Sequence, residues 1–211
     1  MRVYKLYNDL LKENHIIIAG QTGSGKSVII NGIIKTLQEY PVKDKAIILI
    51  DPKRVELIDY AKDPHTLLYC DTDKQAVNAL NYAVDIMERR YKIMQRKRQK
   101  KSNLTDIYII VDEYADLVTT AKKEIETQII RIAQLGRAAN IHLILATQRP
   151  TAEIINARIK VNIDCRLALH TATKRDSINI CEAAGAENLP RYGYGLLRNV
   201  DGLTIVKIPM I

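Results

Sequence analysis

The chain has no Phe and no Trp in 211 residues, and its aromatic side chains are 11 Tyr. Any core must therefore be aliphatic. With 47% hydrophobic and 27% charged residues such a core can be built, which excludes wholesale disorder and a collagen-like or coiled-coil rod. Cysteine is scarce: Cys70, Cys165 and Cys181 are odd in number and lack metal-ligand spacing, so they read as reduced structural thiols rather than a disulfide framework. His15, His65, His142 and His170 are equally scattered, and a Cys/His metal site is not expected. No apolar run approaches the roughly 18 residues of a membrane span, and the opening MRVYKLYNDLLKEN lacks the apolar stretch of a signal peptide. The expectation is a cytoplasmic chain with no membrane insertion. There is also no Pro/Gly/Ser linker, internal repeat or low-complexity tract, so one domain over residues 1–211 is expected, with residues 1–14 as a lead-in.

Charge is present but uneven. Lys and Arg number 32 against 24 Asp and Glu, a formal net charge of +8. The segment from Arg89 to Lys101, RRYKIMQRKRQKK, carries eight basic and no acidic residues, so the rest of the chain is formally neutral. This is a neutral domain with one basic segment.

Short β-branched runs alternate with helical patterns, the signature of a parallel sheet covered on both faces. Strands are expected at His15–Ala19, Ala46–Ile50, Thr66–Tyr69, Ile107–Val111, Ile141–Thr147, Cys165–Leu169 and Gly195–Leu197, with helices at about 26–38, 75–99, 121–139, 151–157 and 174–184. In the second long helix Val77, Leu80, Val84, Met87, Tyr91 and Met94 form one apolar stripe. The next stripe positions are Arg98 and Lys101. The RKRQKK continuation therefore leaves the core and projects into solvent or toward a partner.

Gly20-Gln21-Thr22-Gly23-Ser24-Gly25-Lys26-Ser27 matches G-x-x-x-x-G-K-[ST] between a strand and a helix that opens at Val28. Glycines let successive backbone N–H groups turn inward toward phosphate oxygens, while the helix offers its positive end. Lys26 would reach the β and γ phosphates of ATP, and the Ser27 hydroxyl would ligate Mg²⁺. Ile107-Tyr-Ile-Ile-Val-Asp112-Glu113 supplies the acidic element: Asp112 would hold Mg²⁺ through its water shell, and Glu113 would orient and polarise the attacking water. The consecutive pair favours ATP hydrolysis through a glutamate over kinase or GTPase chemistry. Gln148 follows the strand IHLILAT and is placed to report on the γ-phosphate, the alternative being a solvated loop amide. Arg137, in Leu135-Gly-Arg-Ala-Ala-Asn140, reads either as an exposed helix-end cation or as an arginine given in trans to a neighbouring subunit's nucleotide.

Taken together these motifs resemble the motor domain of the FtsK/SpoIIIE DNA translocases, in the FtsK and HerA group of P-loop ATPases. The resemblance runs from about His15 to Val206 and includes Asp51-Pro-Lys-Arg-Val-Glu-Leu57, Met87-Glu-Arg-Arg-Tyr-Lys92, Val111-Asp-Glu-Tyr-Ala-Asp116, Arg137-Ala-Ala-Asn-Ile-His-Leu143, Ala146-Thr-Gln-Arg-Pro150, Ile159-Lys-Val-Asn-Ile163 and Gly185-Ala-Glu-Asn-Leu189. It implies an α/β, RecA-like P-loop NTPase core with a mainly parallel twisted sheet. It also implies a homo-oligomeric, hexameric ring that moves double-stranded DNA through its centre, with Gln148 as nucleotide sensor and Arg137 acting in trans. Lys160 and Lys174 look like the family's channel-facing DNA contacts, with Arg175 adjacent where the family often has a further basic residue near Ile178. Arg96, Lys97 and Arg98 are candidate auxiliary DNA contacts. A membrane anchor, a winged-helix reader and the family's extra N-terminal motor subdomain are expected to be missing, so a minimal motor is the reading. A secretion or conjugation coupling ATPase acting on a protein or nucleoprotein is the alternative.

Overall fold

The structure, a computed structural model, describes residues 5–210. It divides into two compact units, one running to Glu39 and resuming at Leu145, the other being Tyr40–Ile144.

The first unit begins with α1 (Lys5–Lys12), β1 (His15–Ala19) and α2 (Lys26–Gln38). It resumes within β5 (Ile141–Thr147) and continues through α5 (Ala157–Lys160), β6 (Cys165–Ala168), α6 (Lys174–Cys181), β7 (Tyr194–Asn199) and β8 (Gly202–Lys207). β1 is parallel to β6, with Ile16 opposite Cys165 and Ala19 opposite Ala168. β7 is antiparallel to β6, and β8 to β7. All five residues of β1 are buried, so its sequence reads as an unbroken apolar run instead of an alternation.

In the second unit β2 (Lys45–Ile50) pairs in parallel with both β3 (Thr66–Cys70) and β4 (Asp106–Val111), in register from Lys45 opposite Asp106 to Ile50 opposite Val111. α3 (Asp73–Lys97) starts at Thr72, whose hydroxyl accepts from the Gln75 amide at 3.3 Å. Its buried face carries Leu80, Val84, Met87 and Met94 from the expected stripe. Residues 95–101 are all exposed, as the end of that stripe predicts. α4 (Tyr114–Leu135) and the start of β5 complete the unit.

The seven expected strands all form, and the mainly parallel α/β arrangement holds. The differences have local causes. Residues 5–12 of the supposed lead-in form α1, which buries Tyr7 and Leu10: a Cβ on Gly32 of α2 would lie 2.3 Å from the Tyr7 ring, and the Tyr7 hydroxyl donates to the Pro209 carbonyl at 2.6 Å. Burial pushes that phenol up to about 12. Residues 1–4 of the lead-in lie outside the described residues. No strand was expected at β8 because its residues are mostly exposed, Leu203 by 46% and Ile205 by 64%, and show no alternation. Its signal is Asp201-Gly202, where Gly202 takes φ +118° to close the hairpin.

The helix expected at 151–157 is a set of turns. The chain forms only one helical turn, α5, capped by the Asn156 side chain accepting from the Ile159 amide at 3.2 Å. α4 begins seven residues before the expected 121, at the cap supplied by Glu113, and kinks at Ala121 (φ −130°, ψ 42°), where the apolar pattern resumes. The three cysteines are free and buried, and burial pushes the thiols of Cys70 and Cys181 up to about 11.

A part-buried charge cluster joins β2, β4 and β5 inside the second unit. Lys45 Nζ donates to Asp106 Oδ2 and stands over the rings of Tyr40 and Tyr108, His142 Nε2 is 3.6 Å from Asp106 Oδ1, and Tyr108 stacks on His142 at 4.5 Å. Burial alone would raise the Asp106 pKa, but nearby His142 and the hydrogen-bonded Lys45 ammonium outweigh it and bring the carboxyl to about 2 from its usual 3.8. A lowered pKa stabilises the fold above the unfolded value, and that contribution fades as pH falls through the folded one. Asp106→Asn should cost about 1 kcal/mol at pH 7, allowing for solvent screening. In urea unfolding the gap from the parent chain should be full above about pH 4 and close toward pH 2. A gap constant over that range would contradict the assignment.

Candidate nucleotide site

The phosphate-loop motif folds as its glycines require. Gly23 and Gly25 take φ +77° and +99°, a region that costs other residues strain. A Cβ on Gly20 would fall 2.4 Å from Ser24 Oγ and 2.8 Å from Leu169 Cβ. The loop is pinned on both sides, by Gly20 N–H donating to the Thr147 carbonyl at 3.3 Å and Gln21 N–H to the His170 carbonyl at 3.0 Å. α2 opens at Gly25 with no side chain capping its first amides, the place where a helix start receives an anion. Lys26 is only 5% exposed, and the buried Ser24 hydroxyl has no hydrogen-bond partner among the described residues. A buried cation, unspent donors and glycine-only turns fit a polyphosphate. Gln148 stands beside this loop: its Oε1 accepts from Thr22 Oγ1 at 2.7 Å.

The two acidic candidates belong to the second unit. Asp112 and Glu113, at the end of β4, are 1% and 2% exposed. The Asp112 amide donates to the Ile50 carbonyl at 3.1 Å, which fixes the strand end. Glu113 accepts from the Ala115 amide at 3.4 Å, and its other oxygen is 3.7 Å from Lys53 Nζ, which also lies 3.6 Å from Asp116. Lys53 sits in the Asp51-Pro-Lys-Arg segment and received no role from the sequence. It offsets the buried Glu113 charge. Asp51 is fully buried beside it and accepts from the Leu57 amide at 3.0 Å, shaping that loop. Nothing in the spacing of Lys53 and Glu113, sixty residues apart, announces the pair.

Arg137 is exposed on a turn whose backbone is bonded almost carbonyl by carbonyl. Tyr91 Oη donates to Leu135 O at 2.8 Å; the Ala139 and Ile141 amides donate to Gly136 O, each at 3.0 Å; Ser102 N–H donates to Ala138 O at 2.8 Å. Arg90, 6% exposed, donates through Nη1 to Ala139 O at 2.6 Å and Asn140 O at 3.1 Å, and through Nη2 to Thr105 O at 2.8 Å. Burial lowers the Arg90 pKa. Asn140, at φ +54°, donates to Ser102 O and Leu104 O. One member of the basic segment, Arg90, is therefore an internal brace, and the others, Arg96, Lys97 and Arg98 among them, are exposed, Arg98 ending α3 at φ +52°.

The other candidates divide similarly. Lys174 and Arg175 are exposed at the start of α6. Lys160 is half-buried and donates to the backbone and side-chain oxygens of Asn179, each at 3.1 Å. Burial, then the charge of Arg166, lowers its pKa.

The FtsK/SpoIIIE family model matches residues 3–106 and 96–152. The chain belongs to the FtsK/SpoIIIE family. It is 40% identical over 214 residues to the DNA translocase FtsK of Streptococcus pyogenes serotype M6, an alignment covering 92% of this chain and 27% of that protein. It is 43% identical over 193 residues to the DNA translocase FtsK of Caldanaerobacter subterraneus subsp. tengcongensis, covering 86% and 27%. The chain thus spans about a quarter of these relatives' length. Among solved structures, the pCW3 conjugation coupling protein TcpA, in its monomer form with ATPγS, superposes with a TM-score of 0.83 at 27% identity, covering 94% of this chain and 61% of that one.

The Glu-Arg-Arg-Tyr segment of this FtsK/SpoIIIE chain can be tested as the brace of the Arg137 turn. Lysine keeps the charge of Arg90 but cannot span three carbonyls. Arg90→Lys should lower stability by about 1–3 kcal/mol and speed amide exchange at residues 138–141. Exchange there equal to that of the parent chain would show that the turn holds itself.

Proposed function

We propose that this chain is the ATP-hydrolysing motor domain of a DNA translocase, acting in a homo-oligomeric ring, hexameric in the family's manner, on double-stranded DNA. The observation that carries the reading is the uncapped phosphate loop with buried Lys26 in a chain that also presents the buried pair Asp112 and Glu113. In this reading the amides of residues 25–28 and the Lys26 ammonium hold the polyphosphate of ATP. Ser27, and Asp112 through water, would hold Mg²⁺, which neutralises phosphate charge. Glu113 takes the proton of the attacking water once Lys53 no longer engages it, and Gln148, resting on Thr22, reads the terminal phosphate. Arg137 on its braced turn serves the neighbouring subunit's nucleotide. Lys174 and Arg175, with Arg96, Lys97 and Arg98, contact DNA phosphates, and Lys160 joins them by exchanging Asn179 for DNA. Cytoplasmic placement accords with the lack, among the described residues, of any helix long and apolar enough to cross a membrane.

A second reading, a coupling ATPase that drives a protein or nucleoprotein substrate, is favoured by the likeness to the conjugation coupling protein TcpA. It predicts stimulation by a partner polypeptide and indifference to naked duplex.

Phosphate release by the purified chain should rise when duplex DNA is added. Lys26→Ala should abolish it, and Glu113→Gln should keep nucleotide binding while lowering turnover by about 10²–10⁴-fold. Turnover indifferent to duplex, or surviving Lys26→Ala, would overturn the first reading. Replacing Arg96, Lys97, Arg98, Lys100 and Lys101 with neutral residues should weaken duplex binding and flatten its dependence on salt, because fewer counterions are released. An unchanged slope would leave this segment a solvated helix end.

A further inference from the structure

An arginine, Arg191, stands at the phosphate loop with no role in the reading above. The Leu189–Gly193 segment is tied to that loop by a short relay: His170 Nδ1 lies 2.8 Å from Leu189 O, and the His170 carbonyl accepts from the Gln21 amide at 3.0 Å. At its other end Gly193, at φ +82°, accepts from the Ile208 amide at 2.9 Å. This tethering carries Arg191 and Tyr192 to the crest of the loop. A Cβ on Gly23 would lie 3.4 Å from Arg191 Nη2, 3.8 Å from Arg191 Nε and 3.9 Å from Tyr192 Oη. The guanidinium sits 5.9 Å from the centre of the Tyr192 ring, and both side chains are exposed, Tyr192 by 63%. Among the described residues no carboxylate pairs with Arg191.

A guanidinium beside an aromatic ring and against the Gly23 turn of the phosphate loop, with no carboxylate of its own, lacks only a phosphate. The fork geometry of arginine suits two phosphate oxygens at once, and the tyrosine lowers the freedom it would lose on binding while adding a cation–π contact. We propose that Arg191 is a nucleotide-contacting residue supplied by the same subunit, binding the polyphosphate of a nucleoside di- or triphosphate from the outer side of the loop, and that Tyr192 is its positioning residue. The proposal rests on the reading of Gly20–Ser27 as a nucleotide loop. It differs from the assignment of Arg137, which acts on a neighbour.

The test is equilibrium binding of ATPγS, ADP and inorganic tripolyphosphate to the full chain, with thermal melting to check each variant. Both side chains are exposed, so folding should be retained. Arg191→Gln should weaken all three ligands by about tenfold, the equivalent of one charge-assisted hydrogen bond, and Tyr192→Ala by a smaller factor. Arg158→Gln, which removes the same charge from exposed α5, should leave the affinities alone. Equal affinities of Arg191→Gln and the parent chain would overturn the proposal while leaving the loop's role standing. So would a loss confined to ATPγS and ADP with tripolyphosphate unaffected, which would put the arginine on the base. A parent chain that binds none of the three would overturn the nucleotide reading and this proposal together.

Discussion

The chain's chemistry depends on a backbone constraint: between a wholly buried strand and an uncapped helix, Gly23 and Gly25 hold positive φ. Buried strands have their hydrogen bonds satisfied along their length, so polar groups with capacity to spare occur where strands end and helices begin. In the first unit this is the Gly20–Val28 loop. In the second it is the end of β4, where Asp112 is fixed by its amide bond to Ile50 and Glu113 serves both as a buried carboxylate and as the cap of α4. The capping role helps explain why an acid can be held there at 2% exposure. Its charge is balanced by helix amides and by Lys53.

Charge elsewhere in the chain follows the same logic of burial. A net +8 suggests a general affinity for polyanions, but the basic segment contains residues of different kinds. Arg90 is internal and closes three backbone carbonyls, whereas residues 95–101 have left the core entirely. The boundary is set where α3 runs out of apolar residues after Met94. Two neighbours in the Glu-Arg-Arg-Tyr segment, Arg90 and Tyr91, stabilise the turn that presents Arg137. A motif with no evident chemistry of its own thus supports the turn on which a candidate residue stands.

Most of the sheet was legible because buried strands leave unbroken runs such as HIIIA and AIILI, and the phosphate loop because its glycines, lysine and serine stand at fixed spacing. What escaped was held by single contacts or by pairs distant in sequence. α1 is seated by Tyr7 over Gly32 and by buried Leu10, and β8 is an exposed strand announced only by Asp201-Gly202. The expected helix at 151–157 failed because its apolar residues pack as turns before the Asn156 cap. The engagement of Lys160 by Asn179, of Glu113 by Lys53 and the approach of Arg191 to Gly23 all join residues far apart in the chain. No periodicity records such meetings.

These features describe a chain whose nucleotide chemistry is built from backbone geometry and whose long side chains distribute charge around it. The central claim is that ATP hydrolysis by this chain is spent on movement along duplex DNA. Displacement of a third strand from a triplex placed downstream of a duplex loading region tests that most directly. The account predicts displacement with ATP, none with ATPγS, and none with Glu113→Gln. Brisk ATP hydrolysis on the same DNA with the third strand left in place would contradict it.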